Sequence, residues 1–300
     1  MPIRLPITPR RFIRPTSIHR HAFYSTSESP ILVSTVPAPH SGSIKIISLN
    51  RPSARNAISR ALLTSLTDEI EAIHAEPPTG PTRAVILSSE ADACFCAGAD
   101  LKERKGFTQR ETEAFLMNLQ STFSRIAALP IPTVSAISSS AFGGGLELAL
   151  CTHLRVFAST AQVALPETRL AIIPGGGGTY RLPAVIGQAR ARDLILTGRR
   201  VNGPEAYFMG LCDRLVDVNE EDLKTPGAAR KKVLDQAVQL AKEISEGGPI
   251  AIRAALEAVE GCAFGEKAEN AAYQKVVVTE DRTEALIAFG EKRKPVFKGR

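Results

Sequence analysis

The stretch Pro132-Thr133-Val134-Ser135-Ala136-Ile137-Ser138-Ser139-Ser140-Ala141-Phe142-Gly143-Gly144-Gly145-Leu146-Glu147-Leu148-Ala149-Leu150 changes character twice. An apolar, β-rich run enters three serines, and a glycine triplet then gives way to good helix formers, so the spacing predicts a strand, a glycine turn and a helix start. A helix start offers unpaired N–H groups and the positive end of the dipole, and glycines let a ligand oxygen approach that backbone. Glu147 follows Gly144 by one helical turn. A carboxylate there sets an acid or base beside a carbonyl whose oxygen becomes negative during reaction; the plainer alternative is a packed turn with a buried or capping glutamate.

The whole chain has 300 residues, 44% hydrophobic and 23% charged, which describes a globular protein with ample core, as one large domain or one plus an appendage. No uncharged apolar run approaches the roughly 18 residues of a membrane helix. Residues 1–24 carry five arginines (Arg4, Arg10, Arg11, Arg14, Arg20) and no acid, and the remainder balances 32 basic against 31 acidic residues. The body of the protein therefore shows no overall bias toward nucleic acid or anionic membrane. The arginine-rich start, with Ser17, Ser25 and Ser27 about it, has the composition of a mitochondrial presequence, and Arg20-His21-Ala22-Phe23-Tyr24-Ser25 places its cleavage near Tyr24. Cys94, Cys96, Cys151, Cys212 and Cys262 are odd in number and lack CxxC spacing; they read as small buried hydrophobes in a reducing compartment, the matrix.

Organised chain begins near Ile31. The patterns predict strands over 44–49 and 84–88, and a helix through Ile58, Leu62, Leu63, Leu66, Ile70 and Ile73 that stops at Pro77 and Pro78. A loop over 91–102 precedes a helix with Phe115, Leu119, Phe123, Ile126 and Leu129 on its apolar face, ended by Pro130 and Pro132. Short strands follow the glycine stretch at 154–158 and 163–165. Strand-helix units recurring about every forty to fifty residues indicate an α/β fold. Past Val218 the pattern turns helical, with segments at 233–244 and 249–260 and two more from Phe264 and Thr283. That division gives a core over 31–225 and a C-terminal helical region over 226–300, either a packed subdomain or an arm for self-association.

Three further loops carry candidate chemistry. In Phe95-Cys96-Ala97-Gly98-Ala99-Asp100-Leu101-Lys102 the small residues let a flat or bulky group lie against backbone, or simply make a tight turn. Glu167, after Pro166, is either functional or a surface carboxylate paired with Arg169. Pro174-Gly175-Gly176-Gly177-Gly178-Thr179 has the form of an anion-binding nest at a helix start, or of a close-packing turn; without a following Gly-Lys-Ser/Thr it is no nucleotide P-loop.

Taken in order, Ala97-Gly98-Ala99-Asp100-Leu101-Lys102, Gly143-Gly144-Gly145-Leu146-Glu147-Leu148-Ala149, Pro166-Glu167 and the run from Ile173 to Leu182 resemble the enoyl-CoA hydratase/isomerase (crotonase) family, from about Ser43 to the C-terminus. Leu101-Lys102-Glu103-Arg104 and the run 170–179 look most like the branch that hydrates 3-methylglutaconyl-CoA in leucine breakdown, of which one member binds AU-rich RNA. The resemblance implies a crotonase spiral of strand-helix turns with a C-terminal region that makes trimers or hexamers. It also implies an acyl-CoA substrate, with no metal or redox cofactor. By the same likeness the oxyanion hole consists of the Ala99 and Gly144 N–H groups, Glu147 activates water, and Glu167 protonates C2. CoA contacts are implied at Ala97, Ala99, Asp100 and Lys102, with Phe289 and Lys292 from the C-terminal helices. The runner-up within the family is a short-chain hydratase of straight acyl groups.

Ser139 stands where relatives usually have glycine, so a left-handed backbone there would be strained. Tyr180 replaces a common glutamine, and Thr152-His153 a common Cys-Asp pair. His40, His74 and His153 lack metal-ligand spacing, and no G-x-S-x-G turn supports a serine hydrolase. As for RNA, the first helix offers Arg55, Arg60 and Thr64 together with Asp68 and Glu71, whose charges repel phosphate and predict weak, salt-sensitive binding at most.

Overall fold

Thr82–Ser89 is buried at every position, as a strand must be when layers cover both faces. In the computed structural model, which describes residues 29–300, this strand (β3) lies third in a six-stranded sheet. The presequence expected over 1–24 lies outside the described residues. β1 (Ile31–Pro37) forms the edge and runs antiparallel to β2 (Ser43–Leu49); the remaining pairings, through β3, β5 (Thr133–Ile137), β7 (Leu154–Ala158) and β10 (Arg214–Val216), are parallel. A second, smaller sheet has the order β4 (Cys94–Cys96), β6 (Ser140–Phe142), β8 (Gln162–Ala164) and β9 (Val201–Asn202).

The two sheets are filled alternately. β3 is followed by β4, β5 by β6 and β7 by β8, so each turn of the chain gives one strand to the large sheet and the next to the small one. The result is the expected α/β spiral. Helices α1 (Arg60–His74), α2 (Leu101–Arg104), α3 (Gln109–Ala127) and α4 (Gly144–Ala149) connect these turns, and α5 (Gly178–Ile186), α6 (Gln188–Thr197) and α7 (Gly203–Met209) follow β8. After β10 come α8 (Glu220–Lys224), α9 (Ala228–Ser245), α10 (Pro249–Glu260), α11 (Glu266–Val277) and α12 (Glu280–Gly290). Fully buried Phe95, Phe123 and Phe157 join the leucines and isoleucines of α1 and β2 in one core, onto which α9 also packs. Among the described residues no helix is long and apolar enough to cross a membrane.

Several expectations need correction. The stretch 132–150 is not one strand leading to one turn: at Ser138 and Ser139 the chain leaves the large sheet, and Ser140–Phe142 is a separate strand of the small one. The loop 91–102 contains β4 and the first residues of α2. Ile58 precedes α1 and forms a parallel bridge to Ala99, and Leu129 is buried just beyond the end of α3. Ser139 does not adopt a positive φ, so the turn is accommodated without that strain, although the hydroxyls of Ser138 and Ser139 are buried and unpartnered. Cys262 is exposed in a short 3-10 turn, unlike the other four cysteines. His153, in place of an acid, accepts the Thr133 N–H at 3.0 Å and so ties down the entry to β5.

Candidate active site

Where β6 ends, Gly143 takes φ 52° and ψ −125°, which redirects the chain into α4. Gly145 lets α4 lie against the small sheet: a Cβ there would stand 2.2 Å from the Cys96 carbonyl oxygen. Close packing of this kind brings residues 97–99 beside Phe142, Gly143 and Gly144. A Cβ on Gly98 would fall 2.7 Å from Phe142 O and 3.3 Å from Gly144 N, and one on Gly144 would be 3.8 Å from Ala99 N.

The bridge from Ile58 explains which way Ala99 faces. Ile58 N donates to Gly98 O at 2.7 Å, and Asp100 N to Ile58 O at 3.0 Å. In a parallel bridge those bonds flank Ala99 and leave its own N–H directed to the opposite side, where the cleft lies. Gly144, as the first residue of α4, has no partner one turn back. Among the described residues neither N–H donates to a protein acceptor, and both residues line a single cleft of about 960 Å³.

Glu147 and Glu167 line the same cleft. Glu147, 2% exposed, projects from α4, and its Oε1 accepts the N–H groups of Gly176 and Gly178, each at 2.8 Å. The nest at the start of α5 therefore binds an anion that belongs to the chain itself. Arg181 Nη1 donates to Gly176 O at 2.8 Å and steadies the loop. Burial raises the Glu147 pKa, while the two N–H donors and the Arg181 charge oppose that rise.

Glu167 opens a 3-10 turn, Glu167–Leu170, and is 9% exposed. It is not the surface partner of Arg169, whose Nε donates to Thr197 O instead. Oε2 of Glu167 is buried and has no hydrogen-bond partner among the described residues. Burial pushes its carboxyl up to about 7, helped by the nearby charge of Glu147. The two carboxyls thus sit in unlike surroundings, Glu147 gripped by the nest and Glu167 with one buried oxygen unpartnered.

Of the residues expected to meet CoA, Ala97 and Ala99 line the cleft. Asp100 caps α2 by accepting Glu103 N, and pairs with Arg51 at 3.1 Å; Lys102 is exposed on α2. Phe289 and Lys292 stand exposed at and just after the end of α12. None of these four lines the cleft as it stands in one chain. Sequence reasoning missed the opposite wall: Phe115, Leu116 and Leu119 of α3 face the cleft, Ile172 and Ile173 close it, and Gln120 Nε2 donates to Gly175 O at 2.8 Å. A helix whose apolar face serves core and cleft together has a wider apolar stripe than the core alone requires, and Leu116 beside Phe115 was its signal.

Residues 40–300 match the family model described as enoyl-CoA hydratase/isomerase. An enoyl-CoA isomerase/hydratase of Zymoseptoria tritici is 64% identical over 91% of this chain and 89% of its own length. Methylglutaconyl-CoA hydratase 1, mitochondrial, of Pyricularia oryzae is 54% identical over 99% of this chain and 98% of its own. Among solved structures, an enoyl-CoA hydratase from Bacillus anthracis superposes with a TM-score of 0.79 at 40% identity, covering 89% of this chain and 99% of that one.

Proposed function

Since the chain belongs to the enoyl-CoA hydratase/isomerase family and is an enoyl-CoA hydratase that acts on acyl-CoA, we propose that it hydrates 3-methylglutaconyl-CoA to 3-hydroxy-3-methylglutaryl-CoA in leucine degradation. The observation that carries the reading is the pair of unlike carboxyls beside two unpartnered N–H groups in one cleft. Isomerisation needs one group to move a proton between two carbons; hydration uses two, one for water and one for carbon. The near full-length likeness to a methylglutaconyl-CoA hydratase supports the choice of acyl group.

In this reading the thioester oxygen rests on the Ala99 and Gly144 N–H groups. Glu147, ionised with Oε1 held by the nest, takes a proton from water through its other oxygen. The water oxygen bonds to C3 as the C2=C3 pair shifts toward C1 and charge gathers on the thioester oxygen as an enolate. Glu167, protonated, then gives its proton to C2, and the carbonyl reforms. Preorganised donors of this type are typically worth about 3 kcal/mol each to the transition state. CoA lies along Ala97 and Ala99, with Asp100 and Lys102 at its entrance and Phe289 and Lys292 as outer contacts. The core over 31–225 does the chemistry, residues 226–300 hold a homotrimer or hexamer, and residues 1–24 direct the chain to the mitochondrial matrix, as the mitochondrial relative and the arginine-rich start suggest.

The test is loss of enoyl-thioester absorbance with 3-methylglutaconyl-CoA and crotonyl-CoA offered separately. Preference for the diacid is expected. Glu147→Gln keeps an acceptor for Gly176 and Gly178 but loses the base, and Glu167→Gln loses the acid; each lowers kcat by about 100-fold or more. Preference for crotonyl-CoA would instead make the protein a short-chain hydratase of fatty-acid oxidation, and full activity in either variant would sink the two-carboxyl mechanism.

A further inference from the structure

Most of the cleft wall is apolar, and among the residues that line it a single side chain is cationic, Arg104. It ends α2, just beyond the loop that presents Ala99, and its backbone N–H donates to Asp100 O at 3.0 Å. Its guanidinium is half-buried and lies over the Phe115 ring, 5.6 Å from the centroid, with Phe115 itself part of the cleft wall. Neighbouring arginines are already engaged: Arg51 with Asp100, Arg60 with Glu111, and Arg181 with Gly176 O. The Arg104 side chain has no hydrogen-bond or ion-pair partner among the described residues, and its one specific contact is the aromatic ring.

An unpaired guanidinium on an apolar wall is poised for an anion brought by the ligand, because its planar fork of N–H groups matches a carboxylate or phosphate. We infer that Arg104 is the specificity-determining residue that pairs with the distal carboxylate of a dicarboxylic acyl group, an inference that rests on the diacid reading above. The cleft gives this pairing two consequences. Glu147 already places a carboxylate there, so a second negative charge from the ligand is repelled unless a cation offsets it. A straight or branched monoacid leaves the guanidinium facing a methyl group, so the same side chain that holds a diacid disfavours its apolar analogue.

The experiment compares the full chain with Arg104→Met and Arg104→Lys on two thioesters, 3-methylglutaconyl-CoA and 3-methylcrotonyl-CoA, which share the branched enoyl skeleton and differ by the distal carboxylate. In the unaltered protein kcat/KM favours the diacid. Arg104→Met is expected to lower the diacid-to-monoacid ratio by about 10- to 100-fold, chiefly through KM, and Arg104→Lys to retain part of the preference. Turnover of the monoacid by each variant shows that it is folded. A ratio that survives Arg104→Met overturns the inference while leaving the diacid reading in place. Equal losses on both thioesters also overturn it, since they assign Arg104 to a phosphate of the CoA common to both. No diacid preference in the unaltered protein refutes the substrate reading and the inference with it, before any variant is considered.

Discussion

Glu167 shows how much chemistry one buried oxygen can hold. Its Oε2 is buried without a donor, so desolvation of the charged form outweighs the help of the residue's own backbone N–H, and its carboxyl is pushed up to about 7. A folded-state pKa above the ordinary carboxylate value means that the folded protein holds a proton the unfolded chain has released. Stability from this group is therefore fully present below about pH 4.5 and is lost as pH rises toward about 7. Glu167→Gln removes that loss: urea denaturation at pH 8 is expected to show the variant more stable by on the order of 2 kcal/mol, with the difference vanishing near pH 4.5. Equal stability at pH 8 would mean that the carboxyl ionises freely. Catalysis has the matching sign, for a group that donates a proton to C2 fails once ionised, so kcat/KM for hydration falls above about pH 7.

At the scale of elements, the site depends on how closely α4 can approach β4. Gly145 sits with the Cys96 carbonyl oxygen 2.2 Å and its carbon 2.8 Å from where a Cβ would be, and both atoms are backbone, which cannot swing aside. Gly145→Ala is expected to cost about 2 kcal/mol or more in thermal or urea unfolding and to lower kcat/KM, because α4 and the loop after β4 carry the two N–H groups of the oxyanion site. Gly106→Ala is the control, since nothing lies within 4 Å of a Cβ there; its change should stay within about 0.5 kcal/mol. A harmless Gly145→Ala would refute the packing argument. Legibility in the sequence follows the same divide between local and distant causes. β2, β3 and β5 were readable because burial selects β-branched runs, and α9 and α10 because one face of each is apolar. β4 and β6 have three residues apiece, too few for any period to register, and they exist through pairing with each other and with β8, whose short apolar run was readable. The glycines at 176 and 178 announced an anion site, but no local signal said that the anion would be Glu147, some thirty residues earlier. Ala99 was placed by family likeness alone; the bridge that turns its N–H toward the cleft pairs it with a residue before α1.

For the whole molecule, the distribution of apolar and charged surface argues for self-association and against nucleic acid. Phe208, Phe264, Val278 and Phe289 are each more than 70% exposed, and all but Phe208 belong to the C-terminal region. Side chains of this size stay in water on an isolated chain only at a cost, which a partner copy would relieve. The face of α1 offers little to a phosphate: Arg60 pairs with Glu111, Arg125 with Glu71, and Lys45 with Glu69, so cations there are already neutralised by acids of the same surface. With 32 basic against 31 acidic residues outside the first 24, no long-range field draws RNA in. Sedimentation of the protein with and without a labelled AU-rich single strand reads both properties at once. Three or six chains per particle are expected, with the strand sedimenting as free RNA at about 0.15 M salt and associating only as salt is lowered. A monomer would leave the exposed phenylalanines unexplained. Co-sedimentation that persists at physiological salt would show that RNA is held by stacking or base contacts, which salt does not screen, and would give the protein a binding activity beyond hydration.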